Sequence, residues 1–592
     1  MPDAHSLLIE KLRERHSGDE KQLAVVFSSS PRLLVEAPAG YGKTKTMISR
    51  IAYLLATGQI AYPKRLLALT FSVNAAYKIK KDVIQQIPEL LKDAQINFNF
   101  NERIFVSNYH GFCRNVLRRH GYAFSEYLSS IDAFETNDDA DSKILMEWEG
   151  KLTIAEATLM SDFNKAVKNI DATFVKNNLG QYCEIIISKL LPSRKMTFNG
   201  ILTLTINLFD KFPTVREFYN KYFKNVLVDE YQDTNVLSYW LVTLLLSDEN
   251  NVIFLGDSLQ RIYGFIGAVP NLLERSEKRF KLARITLDKN YRFASNFEML
   301  KLDRNIRKNA EDPSSPVIAE SANVNFNLYR DQAEESAGVL SQVKQLMKQN
   351  PVAKIAILAK QRGRNIESVI NAFEGAIPYF YGLFTDEDRE YIRFHKSCLG
   401  KMGELVEDKR LLTKKLATEH IAEINKLYSG NSNQTILSLL GLLEIFWNKL
   451  FEEYAFLSNE EKILFAKESF EHNSLKQYVE FIKSNVIFST VHAAKGLEWD
   501  YVIIPDMEQD YFPNWYGLCG ECSSRNKCVL KVTAANEKKF LEELSVFYVA
   551  VTRARNQVFF SSSSMQLDPK GNPRAKNISC FLRLPGIATN HS

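Results

Sequence analysis

The chain is 592 residues long, 45% hydrophobic, 24% charged and 11% aromatic, a balance that excludes a disordered chain, a collagen and a small disulfide scaffold. Seventy-five basic against seventy acidic residues leave a net charge of +5, too small an excess to imply a nucleic-acid partner unless it is clustered on one face. At roughly 150 residues per domain, the length predicts about four domains.

From the N-terminus, Met1–His16 is charged and helix-like, without the apolar stretch of a secretory leader. No apolar run approaches a membrane span, and the seven cysteines lie mostly far apart. The expectation is a reduced, cytoplasmic protein with no membrane partner. Short apolar runs bounded by turn residues then read as buried strands at Leu33–Val35, Leu66–Thr70, Val226–Val228, Val252–Leu255, Ile355–Leu358 and Val502–Ile504. Helical patterns separate them, so the fold class is α/β with mostly parallel sheets covered on both faces. Two helix-rich stretches, 121–215 and 385–482, interrupt the alternation. In the second, Ile436, Leu439, Leu440, Leu443, Trp447 and Leu450 keep helical spacing, and Ser458 to Glu461 forms a capping box. Glu311–Pro316, with two prolines, reads as a linker, and the acidic run Asp132–Asp141 as a solvated loop.

The first chemical signal follows the first strand. Ala37, Pro38, Ala39, Gly40, Tyr41, Gly42, Lys43 and Thr44 form a glycine-rich turn, and Lys45 continues into a helix. Such a turn aims backbone N–H groups at one point, where the helix dipole favours phosphate. Lys43 would reach the terminal phosphates of ATP, and Thr44 would ligate Mg2+. A turn that only needs glycine for its backbone is the alternative, and Gly-Lys-Thr between strand and helix argues against it. A second signal is Asp229-Glu230 at the end of the Val226–Val228 strand. Asp229 suits the second Mg2+ contact and Glu230 the activation of water. Alone, the pair reads as an acidic helix N-terminus; beside Lys43 and Thr44 the catalytic reading wins.

With these, the motifs fall in an order that resembles the UvrD/Rep/PcrA group of superfamily 1 DNA helicases. Asp19 to Gln22 resembles the adenine-reading Q motif, one residue short in its following spacing. Thr70 to Ala76 resembles motif Ia, Asn108 to Phe112 motif Ib, Val228 to Asn235 motif II, and Gly256 to Ala268 motif III. Leu287 to Arg292 resembles motif IV, Val491 to Glu498 motif V, and Tyr548 to Ala554 motif VI. The resemblance implies two RecA-like parallel-sheet P-loop NTPase cores with two helical insertions. Its domains would be core 1A at 1–120 and 216–275, insertion 1B at 121–215, core 2A at 276–384 and 483–592, and a compact insertion 2B at 385–482.

The same resemblance implies roles. Gln260 senses the γ-phosphate, Arg292 and Arg553 act as arginine fingers, Tyr291 lies under adenine, and Glu498 contacts the ribose. Phe71, His110, Tyr263, Phe265 and His492 become the DNA-binding candidates, since exposed aromatics stack on bases without reading sequence; core packing is the alternative for each aromatic. Some positions depart from the pattern: Ala37 replaces the first glycine, Phe265 a tryptophan, Ile266 an arginine, Arg261 a serine, and Val73-Asn74 an Asn-Lys pair. The implied activity is an ATP-dependent DNA helicase moving 3′→5′ on single strands of tailed or forked duplex. The alternative is an ATP-switched DNA-end or single-strand sensor beside a nuclease in a bacterial anti-phage complex. Only 37 residues follow Arg555, too few for a fused nuclease of the RecB or AddA type.

One feature lies outside the motifs. Cys519, Cys522 and Cys528 have the spacing of half a zinc or iron–sulfur site. Cys580 or His591 could complete it; the alternative is three free cysteines in a polar loop.

Overall fold

A computed structural model describes residues 4–92, 99–385, 388–407, 411–522, 528–567 and 571–591. The chain divides into two compact units, Met1–Lys289 and Asn290–Ser592.

In the first unit the strands are β1 (Arg32–Glu36), β2 (Leu66–Thr70), β3 (Ile104–Asn108), β4 (Glu135–Asn137), β5 (Lys195–Thr197), β6 (Asn225–Val228), β7 (Asn251–Gly256) and β8 (Ala283–Thr286). Six of them form one sheet in the order β3-β2-β6-β7-β1-β8, and every pairing is parallel. Successive side chains of a strand face opposite ways, so each strand feeds two cores. Leu33, Val35, Leu66, Ala68, Leu227 and Leu255 pack with the helices Lys43–Ala56 and Val73–Leu91. Leu34, Leu67, Leu69, Val226, Val228 and Phe254 pack on the other face.

That second core continues without a break into residues of the 121–215 stretch, among them Phe163, Tyr182, Ile201 and Leu204. This stretch is helical as expected, with a small parallel pair of β4 and β5 added. The expected solvated loop at Asp132–Asp141 is corrected at Asp139. That carboxylate is buried and accepts bonds from Asn164 at 2.5 Å, from Asn199 at 3.0 Å and from the Tyr182 hydroxyl. Burial, with Asp138 beside it, pushes its pKa up to about 6. The expected boundary at 275/276 also moves. β8 pairs with β1 through Leu33–Ala283 to Glu36–Thr286, so the first unit runs to Lys289.

The second unit contributes β9 (Ala322–Asp331), β10 (Ile355–Ala359), β11 (Tyr379–Gly382), β12 (Val486–Thr490), β13 (Trp499–Ile504), β14 (Ala554–Leu567), β15 (Pro573–Ala575) and β16 (Ile587–His591). Their order is β11-β12-β10-β13-β14-β9-β16, parallel throughout, with β15 antiparallel on β14. The helix Phe297–Glu311 ends where the prolines of the expected linker begin. The 385–482 stretch is helical: Arg389–Glu407, Lys414–Leu427, Gln434–Glu452 and Asn459–Glu471, the last opened by the expected Ser458/Glu461 capping box. Its core is aromatic, with Phe446 against Trp447, Phe465 and Phe470, and Trp447 against Phe470.

Candidate active site

The phosphate loop is shaped by two glycines. Gly40 and Gly42 have φ of 84° and 81°, a region that a Cβ makes costly. Gly42 caps the helix Lys43–Ala56, and a Cβ on it would meet Gln22 Nε2 at 2.5 Å. The loop therefore delivers the first-turn N–H groups to one place, with Thr44 exposed and Lys45 half-exposed beside Lys43. Ala37, Pro38 and Ala39 are buried in its wall, and Ala37 N donates to Gly256 O at 2.9 Å. Gln22, expected to read adenine, braces this loop. It is 1% exposed, accepts from His16 Nδ1 at 2.5 Å and donates to the Tyr41 carbonyl at 2.9 Å.

Lys43 lies between the two carboxylates of the acidic motif. Its Nζ is 3.0 Å from Asp229 Oδ1, within ion-pair distance though not aligned as a hydrogen bond, and it donates to Glu230. Burial works to lower the Lys43 pKa, but Asp229 and Glu230 outweigh it and raise the value. Burial raises the Asp229 carboxyl, helped by Glu230 and opposed by Lys43. Glu230 holds φ at 50°, left-handed for a residue with a side chain. Such strain persists where the surroundings over-determine it, and it gathers at functional sites. A buried carboxylate oxygen with no aligned donor, facing a phosphate cradle, fits a divalent cation, and Thr44 follows Lys43 in the loop.

Two residues without an assigned role connect this cluster to the next strand. Gln232 Nε2 donates to Glu230 Oε2 at 2.6 Å, and Gln232 Oε1 accepts from Asp257 N at 3.1 Å. Gln260 Nε2 in turn donates to Asp257 Oδ2 at 2.9 Å. Gln232 and Asp257 both sit inside the quoted motifs, but only the fold reveals that their side chains meet. The loop carrying Gln260 goes on to Tyr263, which stacks on Phe71 with centroids 5.4 Å apart. His110 packs edge-on against Phe198, and burial, with Arg114 nearby, holds its pKa down to about 4, so the ring is neutral. Phe265 lies in the short turn Gly264–Ile266, and its side chain is outside the described residues.

The second unit gathers the remaining site residues. Arg292 pairs with Glu498 and donates to the Thr552 carbonyl. Arg555 adds a second contact to Glu498 at 3.4 Å. Burial works to raise the Glu498 carboxyl, but Arg292, Arg553 and Arg555 hold it below the usual range. Arg553, expected as an arginine finger, is 3% exposed. Its donors go to Val549 O at 2.9 Å, Leu497 O at 3.2 Å and Thr552 Oγ1 at 3.1 Å. Tyr291 is 46% exposed, and His492 is half-buried.

Residues 18–281 match the UvrD/REP helicase N-terminal domain, and residues 385–565 match the UvrD-like helicase C-terminal domain. The chain belongs to the UvrD/Rep helicase family. It is accordingly an ATP-dependent DNA helicase and hydrolyses ATP. Among its relatives is the ATP-dependent DNA helicase PcrA of Staphylococcus aureus strain NCTC 8325, 24% identical over 98% of this chain and 87% of the relative. PcrA of Staphylococcus epidermidis strain ATCC 12228 is likewise 24% identical, over 93% and 84%. The fold class expected from the motifs, two parallel-sheet NTPase cores, agrees with this membership.

Proposed function

We propose that this helicase translocates 3′→5′ along single-stranded DNA and opens tailed or forked duplex, with ATP and Mg2+ as its cofactors. The observation that carries the reading is the unbroken run of contacts from Lys43 and Glu230 through Gln232 and Asp257 to Gln260. The same loop then presents Tyr263 against Phe71, so a change at the phosphate end has a rigid route to the rings that stack on bases.

Bound ATP and Mg2+ supply the transferable phosphoryl group and neutralise its charge. The chain does the rest. First-turn N–H groups and Lys43 hold the phosphates, while Asp229 and Thr44 would hold the cation. Glu230, oriented by Gln232, takes the proton of the attacking water at its carboxylate. Arg292 and Arg553, the arginine fingers that the resemblance implies, would add positive charge to the transferring group. Arg553 commits donors to Val549, Leu497 and Thr552, so its engagement would require release of those bonds, and DNA binding would trigger that release.

The same commitment of Arg292 and Arg553 suits the second reading, an ATP-gated DNA sensor beside a nuclease partner in anti-phage defence. One experiment separates the two. ATPase rates are measured with and without single-stranded DNA, alongside unwinding of duplexes bearing a 3′ or a 5′ tail. Strong stimulation with opening of the 3′-tailed substrate supports the translocase. Equal rates with and without DNA remove it and select the switch; preference for a 5′ tail refutes the polarity.

A further inference from the structure

Four of the seven cysteines converge on one cavity in the second unit. Cys519, Cys522, Cys528 and Cys580 line it, with Pro513 and Leu518 among its apolar walls. Cys113, Cys183 and Cys398 are buried elsewhere. Spacing alone left the fourth position open between Cys580 and His591. His591 ends β16, which pairs only with β9 in the sheet order, whereas Cys580 is carried to the cavity by backbone pairing. Gln509 N donates to Asn577 O at 2.9 Å, and Ser579 N donates to Met507 O at 2.8 Å. The Ser579 hydroxyl also donates to Phe512 O. Cys580 then opens the turn Cys580–Arg583 and lines the cavity with Cys519, Cys522 and Cys528.

We propose that Cys519, Cys522, Cys528 and Cys580 bind one zinc ion. Four sulfur ligands select zinc or an iron–sulfur cluster, and the cavity they line has room for an ion of about the size of a water molecule. The site is built for close approach. A Cβ at Gly520 would meet the Trp515 carbonyl at 2.8 Å, so only glycine lets the first turn fold this tightly. Cys528 holds φ at 46°, a strained conformation for a side-chain-bearing residue that a ligand bond would repay.

Binding asks the four sulfurs to draw together. No three of the sulfurs lie within 4.8 Å of one another. The Cys519 thiol donates to Pro513 O at 3.3 Å and the Cys522 thiol to Val529 O at 3.7 Å. Each thiol gives its proton to solvent as its sulfur turns to the metal, so one Zn2+ enters and four protons leave. The resulting site carries two negative charges, faced by Arg583 near Cys528 and Lys360 near Cys519. The loop is also tied to the helix Glu537–Val551, through Glu521–Lys539 at 2.6 Å and Asn514 N to Glu543 at 3.3 Å. Thr552 and Arg553 follow that helix, so the ion would fix the loop that braces the arginine.

The test is metal content per chain, measured on untagged protein purified without chelator, for wild type, Cys522→Ser, Cys580→Ser and the distant control Cys183→Ser. The expected result is about one zinc in wild type and control, lost in both site variants, with nucleotide binding at Lys43 retained. If the site variants fail to fold, a thiol-specific mercurial titrated into wild type should release the zinc. Metal-free folded wild type, zinc retained in folded Cys580→Ser, iron in place of zinc, or a Cys528–Cys580 disulfide in reduced preparations would each overturn the proposal.

Discussion

Gln232 offers the sharpest test of how the site is held. Its amide bonds the Glu230 carboxylate at 2.6 Å and the Asp257 N–H at 3.1 Å, and Gln232→Ala removes both contacts. A hydrogen bond to a charged group is worth about 1.5–3 kcal/mol. If that energy acts on the orientation of Glu230 in the transition state, the rate should fall by about 10- to 150-fold. The phosphate loop and Lys43 stay in place, so KM for ATP should change little while kcat drops. A second perturbation reaches the same bond from the other side. A Cβ on Gly256 would meet Gln232 Oε1 at 2.6 Å, so Gly256→Ala should displace the amide and reproduce the defect without deleting it. The assay is steady-state ATP hydrolysis on saturating single-stranded DNA, with a fluorescent nucleotide titration and a thermal melt for each variant. Wild-type kcat in a folded Gln232→Ala chain would refute the positioning role, and a rise in KM alone would move it to nucleotide binding.

Lys43→Ala should abolish nucleotide binding in a fluorescent titration, whereas Glu230→Gln should bind ATP and DNA normally and turn over about 10²- to 10⁴-fold more slowly; normal turnover would remove Glu230 as the base. Tyr263→Ala and Phe71→Ala should each weaken single-strand binding by about 1–3 kcal/mol without changing its salt dependence, because the phosphate contacts remain; fluorescence anisotropy at several salt concentrations reads both. Ile266→Arg should raise the base pairs opened per ATP in a coupled unwinding assay, and an unchanged ratio would show that this position does not limit coupling. Glu335, Asp506 and Glu508 lie within 4.8 Å of one another, and Glu508 Oε2 has no hydrogen-bond partner. Burial, then the neighbouring carboxylates, raises Glu508 well above the usual range, so its protonated form favours folding at low pH and that stability is lost as pH rises through the raised value. Glu508→Gln keeps an acceptor for Ser563 and should raise the melting point by an amount equivalent to about 1–3 kcal/mol at pH 8, with little change at pH 5; equal shifts at both would refute the sign.

The sequence by itself was enough for the alternation of strands and helices, the phosphate loop, the acidic motif and the family. Each is a local property: a β-branched run, a glycine turn and a helix start lie within about ten residues, where spacing speaks for geometry. What spacing could not supply were partners brought together by the sheets. β8 closes the first sheet beside β1, some 250 residues earlier in sequence, and this moved the domain boundary to Lys289. Asp139 reads as part of a solvated acidic run, because polarity predicts exposure; it is buried because distant donors satisfy it. Arg553 was recognisable as motif VI, but not its commitment to Val549 and Leu497. Cys580 joins Cys528 across an interval that no motif spans, because Gln509–Asn577 and Met507–Ser579 hydrogen bonds fold the tail onto the loop. Local periodicity says what an element is; only the packed chain decides which side chains it meets.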